Sequence, residues 1–313
     1  MVKAPFFTSV ITLILCISLI SCEAGTLGIN ALKYVPRQVT EGNDTYGNFY
    51  FCVPTKLTEK TSILVLAHGT PKDLTPEENA KFYVESWKDF AEEHDYILIA
   101  PAFNQENFSS LYGDQAMSGY RGLFGREIGA DEWVLRLVDV FKKNTGILSE
   151  QFSLYGHSAG GQFVGRFLVT HPEVVKSAVI TSAATYPQPN IEVKWPFGMG
   201  ELHTDIEWDI VTINHVDIVP EKEKWLDALK IPLTVIVGMN DTGELPQELI
   251  PGQKGRNRYM ISRNWIRDME TFAEINGVEN NFKLEFIPGI GHSMSGLMLI
   301  VRKQYLRNED VTT

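Results

Sequence analysis

A chain of 313 residues with 44% apolar side chains is long enough for one large α/β domain or two small ones, and it can fill a substantial core. Its formal net charge of −11 excludes non-specific nucleic-acid binding, which needs a basic face. That balance leaves a neutral substrate open.

Lys3 is the single charge in residues 1–21, and it precedes an uncharged, apolar stretch from Ala4 to Ile20. This is the layout of a signal peptide; a membrane-spanning anchor is the alternative for a stretch of this length. Leu19-Ile20-Ser21-Cys22 resembles the lipobox of bacterial lipoproteins. The resemblance implies cleavage before Cys22, lipidation of its thiol, and a lipid-anchored domain of the bacterial cell envelope. Secretion without an anchor is the alternative. Glu23 is not the aspartate that usually retains such proteins at an inner membrane. A mature chain from Cys22 would carry 27 basic and 39 acidic residues, or −12. Cys16 would leave with the signal and Cys22 would be lipidated. Only Cys52 then remains, so neither an intramolecular disulfide nor a C-x-x-C pair is possible. Cys52 lies in the strand-like run Tyr46–Val53 and reads as a buried, inert thiol.

Residues 22–40 read as a polar tether, and residues 41–313 as the folded domain. Ser62–His68 is a continuous apolar run, as expected of a strand covered on both faces. A helix is expected from Pro76 to Glu93, with Ala80, Tyr83, Val84, Trp87 and Phe90 on one face. Tyr96–Ala102 is the next strand. A polar, Gly-rich loop covers about 104–130, and Asp131 reads as the N-cap of a helix through Trp133, Leu137, Val138 and Phe141. Strands follow at Phe152–Tyr155 and Ser177–Ala183. From Tyr186 to roughly Lys230 the alternation stops, and this stretch reads as a lid-like insertion after the sixth strand. Leu233–Gly238, a helix over Tyr259–Ile275, the strand Phe282–Ile287 and a terminal helix complete the pattern. Alternation of this kind predicts a mostly parallel sheet with helices on both faces.

The stretch FSLYGHSAGGQF, residues 152–163, places G-x-S-x-G where a strand turns sharply into a helix. In such sheets catalytic groups gather at the carboxyl ends of the strands. Asp241 closes VGMND after one strand and His292 closes PGIGHS after another, in the order Ser…Asp…His. A serine hydroxyl needs a neutral imidazole to take its proton, and a carboxylate behind the ring fixes the tautomer. The candidates are therefore Ser158 as nucleophile, His292 as base and Asp241 as its orienting acid. Asp217 competes for the last role, although it follows no clear core strand. The backbone N–H of Ala159 is one candidate oxyanion donor. Gly69 or Thr70, in the loop after the 62–68 strand, offers the other.

These residues, His68-Gly69, Gly156-His157-Ser158-Ala159-Gly160, Asp241 and Gly291-His292, resemble the α/β-hydrolase superfamily over roughly residues 45–305. Within it the chain looks like the secreted esterase and polyhydroxybutyrate-depolymerase-like branch, where GHSAGGQ precedes a helix ending near a His-Pro, here His171-Pro172. The resemblance implies a serine carboxyl-ester hydrolase without metal or organic cofactor, acting on a small or oligomeric ester. The chain departs from the pattern in its oxyanion loop, a bare HGT where a full HGGG is common.

Bland readings stand beside these. His203, Asp205, His215 and Asp217 match no tight ligand spacing and read as solvated residues of the insertion rather than a metal cluster. His157 reads as locally bonded. Arg121 and Arg126 could clamp a carboxylate or sugar, with surface salt bridges as the commoner role. Trp195, Phe197 and Trp208, with Met199 and Trp225, form either a pocket wall or packing of the insertion onto the core. A peptidase or amidase using the same triad, and a catalytically silent binding lipoprotein of the same fold, are the rival functions.

Overall fold

The computed structural model describes residues 32–70, 73–108, 119–208 and 211–306; residues 1–21 and Cys22, expected to be a signal and a lipidation site, lie outside them. Strands β1 (Thr40–Asn43), β2 (Asn48–Cys52) and β3 (Ser62–Ala67) lead into helix α1 (Pro76–Glu93). Strand β4 (Tyr96–Pro101), the short helix α2 (Gln105–Phe108) and α3 (Ala130–Thr145) follow. Next come β5 (Phe152–His157), α4 (Ala159–Thr170) and β6 (Val175–Thr181). The insertion supplies β7 (Leu202–Glu207), β8 (Ile213–Ile218) and α5 (Lys222–Leu229). The chain then returns through β9 (Leu233–Gly238), α6 (Arg258–Asn276), β10 (Phe282–Ile287) and α7 (Met294–Gln304).

The main sheet has the order β1-β2-β4-β3-β5-β6-β9-β10. Every pairing from β4 to β10 is parallel, and the β1–β2 hairpin joins antiparallel at the β4 edge. The central strands are buried along their whole length because both faces are covered. Leu64, Leu66, Leu98 and Tyr155 pack beneath α1 and α7. Ile63, Val65, Ile99 and Leu154 pack beneath α3, α4, α5 and α6 on the other face.

Local chemistry accounts for the helix ends. Thr75 accepts from the Glu78 N–H at 3.1 Å while Glu78 accepts from the Thr75 N–H at 2.8 Å, a capping box that starts α1. Helix α3 begins one residue before the expected cap. Gly129 is its N-cap, and Asp131, free of that duty, accepts from His171 Nε2 at 2.8 Å, tying α3 to the end of α4. Strand β1 begins at Thr40, the last residue of the segment read as a tether. Cys52 is buried in β2, and burial pushes its thiol up to about 11.

The insertion is better ordered than its sequence suggested. Strands β7 and β8 pair antiparallel as a separate ribbon, with Leu202, Ile206, Val216 and Ile218 turned inward and His203, Asp205, His215 and Asp217 outward. Fully buried Arg166 of α4 fixes the insertion from below. It donates to the Pro196 carbonyl at 2.7 Å, the Gln162 carbonyl at 2.9 Å and the Thr185 hydroxyl at 3.1 Å.

Candidate active site

The turn from β5 into α4 is held open by glycine. A Cβ on Gly156 would collide with the Gly160 carbonyl, and a Cβ on Gly160 would collide with the Ala67 carbonyl and come within 2.8 Å of that of His68. Helix α4 therefore packs directly against the end of β3. Between these glycines Ser158 has φ +54° and ψ −112°, a conformation that L-residues rarely adopt. Its N–H is bound by the Thr181 carbonyl at 2.8 Å, which fixes the strained residue to β6. Ser158 itself is half-buried, and Ala159, the first residue of α4, places its N–H among the leading donors that a helix leaves without internal partners.

The loops after β9 and β10 are laced together. The Met239 and Asn240 N–H groups donate to the Ile287 and Ile290 carbonyls at 2.8 and 2.9 Å. Gly238 permits this approach, since a Cβ there would lie against the Ile290 carbonyl and 2.7 Å from that of Gly291. Asp241 and His292 meet as a result, Nδ1 to Oδ2 at 2.9 Å. The Asp241 side chain is 3% exposed and that of His292 33%. Burial works against the Asp241 charge, but the hydrogen bond and charge of His292, then the Arg258 guanidinium, outweigh it and hold the carboxyl below its ordinary value. The His292 ring lies 5.0 Å from the ring of His157, the residue before Ser158. With Nδ1 engaged by Asp241, Nε2 is the nitrogen left to serve a serine hydroxyl.

His157 is locally bonded, its Nδ1 2.9 Å from the Thr181 hydroxyl; burial, reinforced by His292 and Arg258, presses its ring down to about 3. Asp217, the rival acid, sits on the exposed face of the ribbon, 2.6 Å from His203 and 3.4 Å from His215. His215 in turn pairs with Asp205 at 2.8 Å.

The loop after β3 carries the second candidate donor. The Gly69 N–H is directed to the Tyr83 hydroxyl at 3.3 Å, which leaves the Thr70 N–H as the better placed of the two. The Thr70 hydroxyl accepts from Arg121 at 2.8 Å, and Arg121 is buried against this loop. Arg126 donates to the Thr212 hydroxyl at 3.0 Å, linking the Gly-rich loop to the ribbon. A cavity of about 420 Å³ opens beside Thr70, lined by His68, Phe103, Asn104, Tyr120, Arg121 and the start of α1. Trp195, Phe197 and Trp208 are not among its walls. Trp195 is buried with its Nε1 donating to the Gly122 carbonyl at 3.1 Å, Trp208 is buried in the main core, and Phe197 is half-buried. Trp195 and Trp208 are packed into the protein rather than set in the wall of this cavity.

Sequence reading missed Arg258 and Tyr83. Arg258 stands 3.4 Å from Asp241 Oδ1, and only the N-terminal position of α6 in space brings it there. The one linear signal was Asn257, whose side chain caps α6 by accepting from the Met260 N–H at 2.9 Å and donates to the Thr242 carbonyl at 3.2 Å.

No protein-family model and no curated protein matches the chain. Solved structures do. Poly(aspartic acid) hydrolase-1 from Sphingomonas sp. KT-1 superposes with a TM-score of 0.66 at 23% identity, over 86% of this chain and 99% of its own. LpqC, a poly(3-hydroxybutyrate) depolymerase from Bordetella parapertussis, gives 0.61 at 20% identity over 82% of each chain. S-formylglutathione hydrolase FrmB from Staphylococcus aureus gives 0.51 at 14%, over 85% of this chain and 95% of its own. The fold is that of the α/β-hydrolases. In this frame Ser158, Asp241 and His292 occupy loops at the carboxyl ends of β5, β9 and β10, and the ribbon and α5 fill an insertion between β6 and β9.

Proposed function

We propose that the protein is a serine hydrolase that cleaves carboxylic esters through an acyl-enzyme. The observation that carries this reading is the Asp241–His292 pair with its imidazole 5.0 Å from the ring of His157, next to a serine with positive φ at a strand-to-helix turn. Ser158 Oγ attacks the ester carbonyl and passes its proton to His292 Nε2. The oxyanion is met by the N–H of Ala159 and, on the other side, of Thr70. Collapse returns that proton to the departing alkoxide, and the alcohol leaves. Water, deprotonated by His292, then attacks the acyl-enzyme; the acid departs and Ser158 regains its proton. Asp241 holds the ring and stabilises the imidazolium that forms twice in each cycle.

An ester or oligoester reaching the site past Thr70 would meet a cavity with both aromatic and polar walls. A lipid on Cys22 would keep the domain at the envelope, where esters from outside the cell are met; among the described residues no helix is long and apolar enough to cross a membrane. Loss of membrane association in Cys22→Ser is the expected sign of that anchor.

A fluorophosphonate probe tests the reaction class. Wild type should label stoichiometrically and Ser158→Ala not at all; labelling that survives Ser158→Ala ends the proposal. p-Nitrophenyl esters, aminoacyl-anilides, poly(3-hydroxybutyrate) and poly(aspartic acid), offered side by side, separate esterase from amidase action.

A further inference from the structure

We propose that Arg258 is a positioning residue for this hydrolysis, a cation that grips the far oxygen of Asp241 so that the near one is aimed at His292. The inference rests on the serine-hydrolase reading and goes beyond the three residues named for it. Its basis is the division of labour on one carboxylate: Oδ1 faces Arg258 Nη1 at 3.4 Å, and Oδ2 faces His292 Nδ1 at 2.9 Å. Asp241 is almost fully enclosed and the Arg258 side chain is itself mostly buried, so solvent screens the contact weakly.

Arg258 is held in place from its own helix. It is the first residue of α6, directly after the Asn257 cap, and the Asn257 amide bonds the Thr242 carbonyl next to Asp241. That bond ties the start of the helix to the acid loop. The groups facing Asp241 are His292, Arg258, the Ser182 hydroxyl at the end of β6 and the buried Tyr186 phenol, while His157 faces His292. Among these Arg258 is the single permanent cation. Beside an Asp–His pair it favours the carboxylate form of Asp241, and a neutral side chain in its place would leave the Asp241 charge to act on the ring unopposed. A second carboxylate contact also removes rotation about the Asp241 side chain, which keeps the ring on its serine.

The test compares wild type, Arg258→Met and Arg258→Lys on p-nitrophenyl acetate across about pH 5 to 9, with fluorophosphonate labelling and circular dichroism alongside. Arg258→Met should lower kcat about tenfold with KM within about twofold, and move the acid limb of the rate profile up by about half a unit to one unit. Arg258→Lys keeps the charge and should restore the limb and most of kcat. Arg258→Gln, neutral but able to donate one hydrogen bond, replaces Arg258→Met if the latter does not fold. A folded neutral variant with an unmoved limb and wild-type kcat overturns the proposal, as does an Arg258→Lys enzyme as impaired and shifted as the neutral one. If wild type labels at Ser158 while the limb stays put, the positioning role alone falls. If wild type does not label, the hydrolase reading falls and takes this role with it.

Discussion

His68 clamps the carbonyl of its own neighbour Gly69: its Nδ1 lies 2.8 Å from the Gly69 oxygen, while its Nε2 accepts the Phe103 N–H at 3.1 Å. An Nε2 that accepts must be bare, so the proton is on Nδ1 and the ring is neutral. Burial agrees, pressing the ring down to about 4. The loop after β3 is thus fixed by a buried neutral imidazole and by Asn79, whose amide donates to the same carbonyl at 3.0 Å.

Replacing that ring should loosen the loop. His68→Phe leaves the Phe103 N–H buried without its acceptor, at a cost of about 1–3 kcal/mol in urea unfolding. Ester turnover should fall about tenfold with little change in KM, because a displaced Thr70 N–H weakens transition-state contacts more than substrate binding.

Stability should decline on mild acidification. The unfolded chain protonates its histidines near their ordinary value of about 6.5, whereas native His68 resists to about 4 and His157 to about 3. Between these limits the unfolded state binds more protons. The stabilising contribution is complete above about pH 6.5 and drains away as pH falls, by up to about 1.4 kcal/mol per unit for each ring. Denaturant midpoints at about pH 7.5, 6 and 5 should descend, and a folded His157→Asn variant should descend less steeply.

Two of the three glycines of α4, Gly160 and Gly165, should respond in opposite directions to alanine. Gly160→Ala drives a methyl into the Ala67 carbonyl and should cost more than about 3 kcal/mol or prevent folding. Gly165 has ordinary clearance, with the Ile180 and Pro187 side chains at 3.5 and 3.6 Å, and lies inside the helix. Gly165→Ala should gain about 0.5–1 kcal/mol, seen as a higher Tm with unchanged ester hydrolysis.

Trp195 and Thr70 should separate packing from function. Trp195→Phe loses the bond to the Gly122 carbonyl and should destabilise by about 1 kcal/mol while KM for short esters stays put. Thr70→Ala releases the loop from Arg121, and should lower kcat several-fold with Tm nearly unchanged because the residue is exposed.

The ribbon shows how a legible pattern can be passed over. LHTDIE and INHVDI both alternate apolar and polar with period two, the mark of half-buried strands. Their histidines and aspartates, read from sequence as solvated, lie on the outer face, where the register sets His203 opposite Asp217 and Asp205 opposite His215 as cross-strand pairs. For Trp195 and Trp208 the sequence left two roles open, pocket wall or packing, and the fold buries both rings. Aromatic content cannot say whether a ring faces a cavity or the core, because both bury the same apolar surface.

By itself the sequence determined the parallel sheet, from apolar runs such as SILVLA and YILIAP, and the candidate trio, from Ser158, Asp241 and His292 each just after a strand. Those are local signals, written in periodicity and in the glycines that a sharp turn demands. Only the tertiary structure decided which contacts close around them: Arg258 on Asp241, Tyr83 on the Gly69 N–H, and His68 on the Gly69 carbonyl. Two of those three join a loop to a helix that begins after it, across 17 and 14 residues, and the His68 ring depends on Phe103, 35 residues away, to choose its tautomer. Such contacts depend on where strands and helices come to rest, and no stretch of linear sequence encodes that distance.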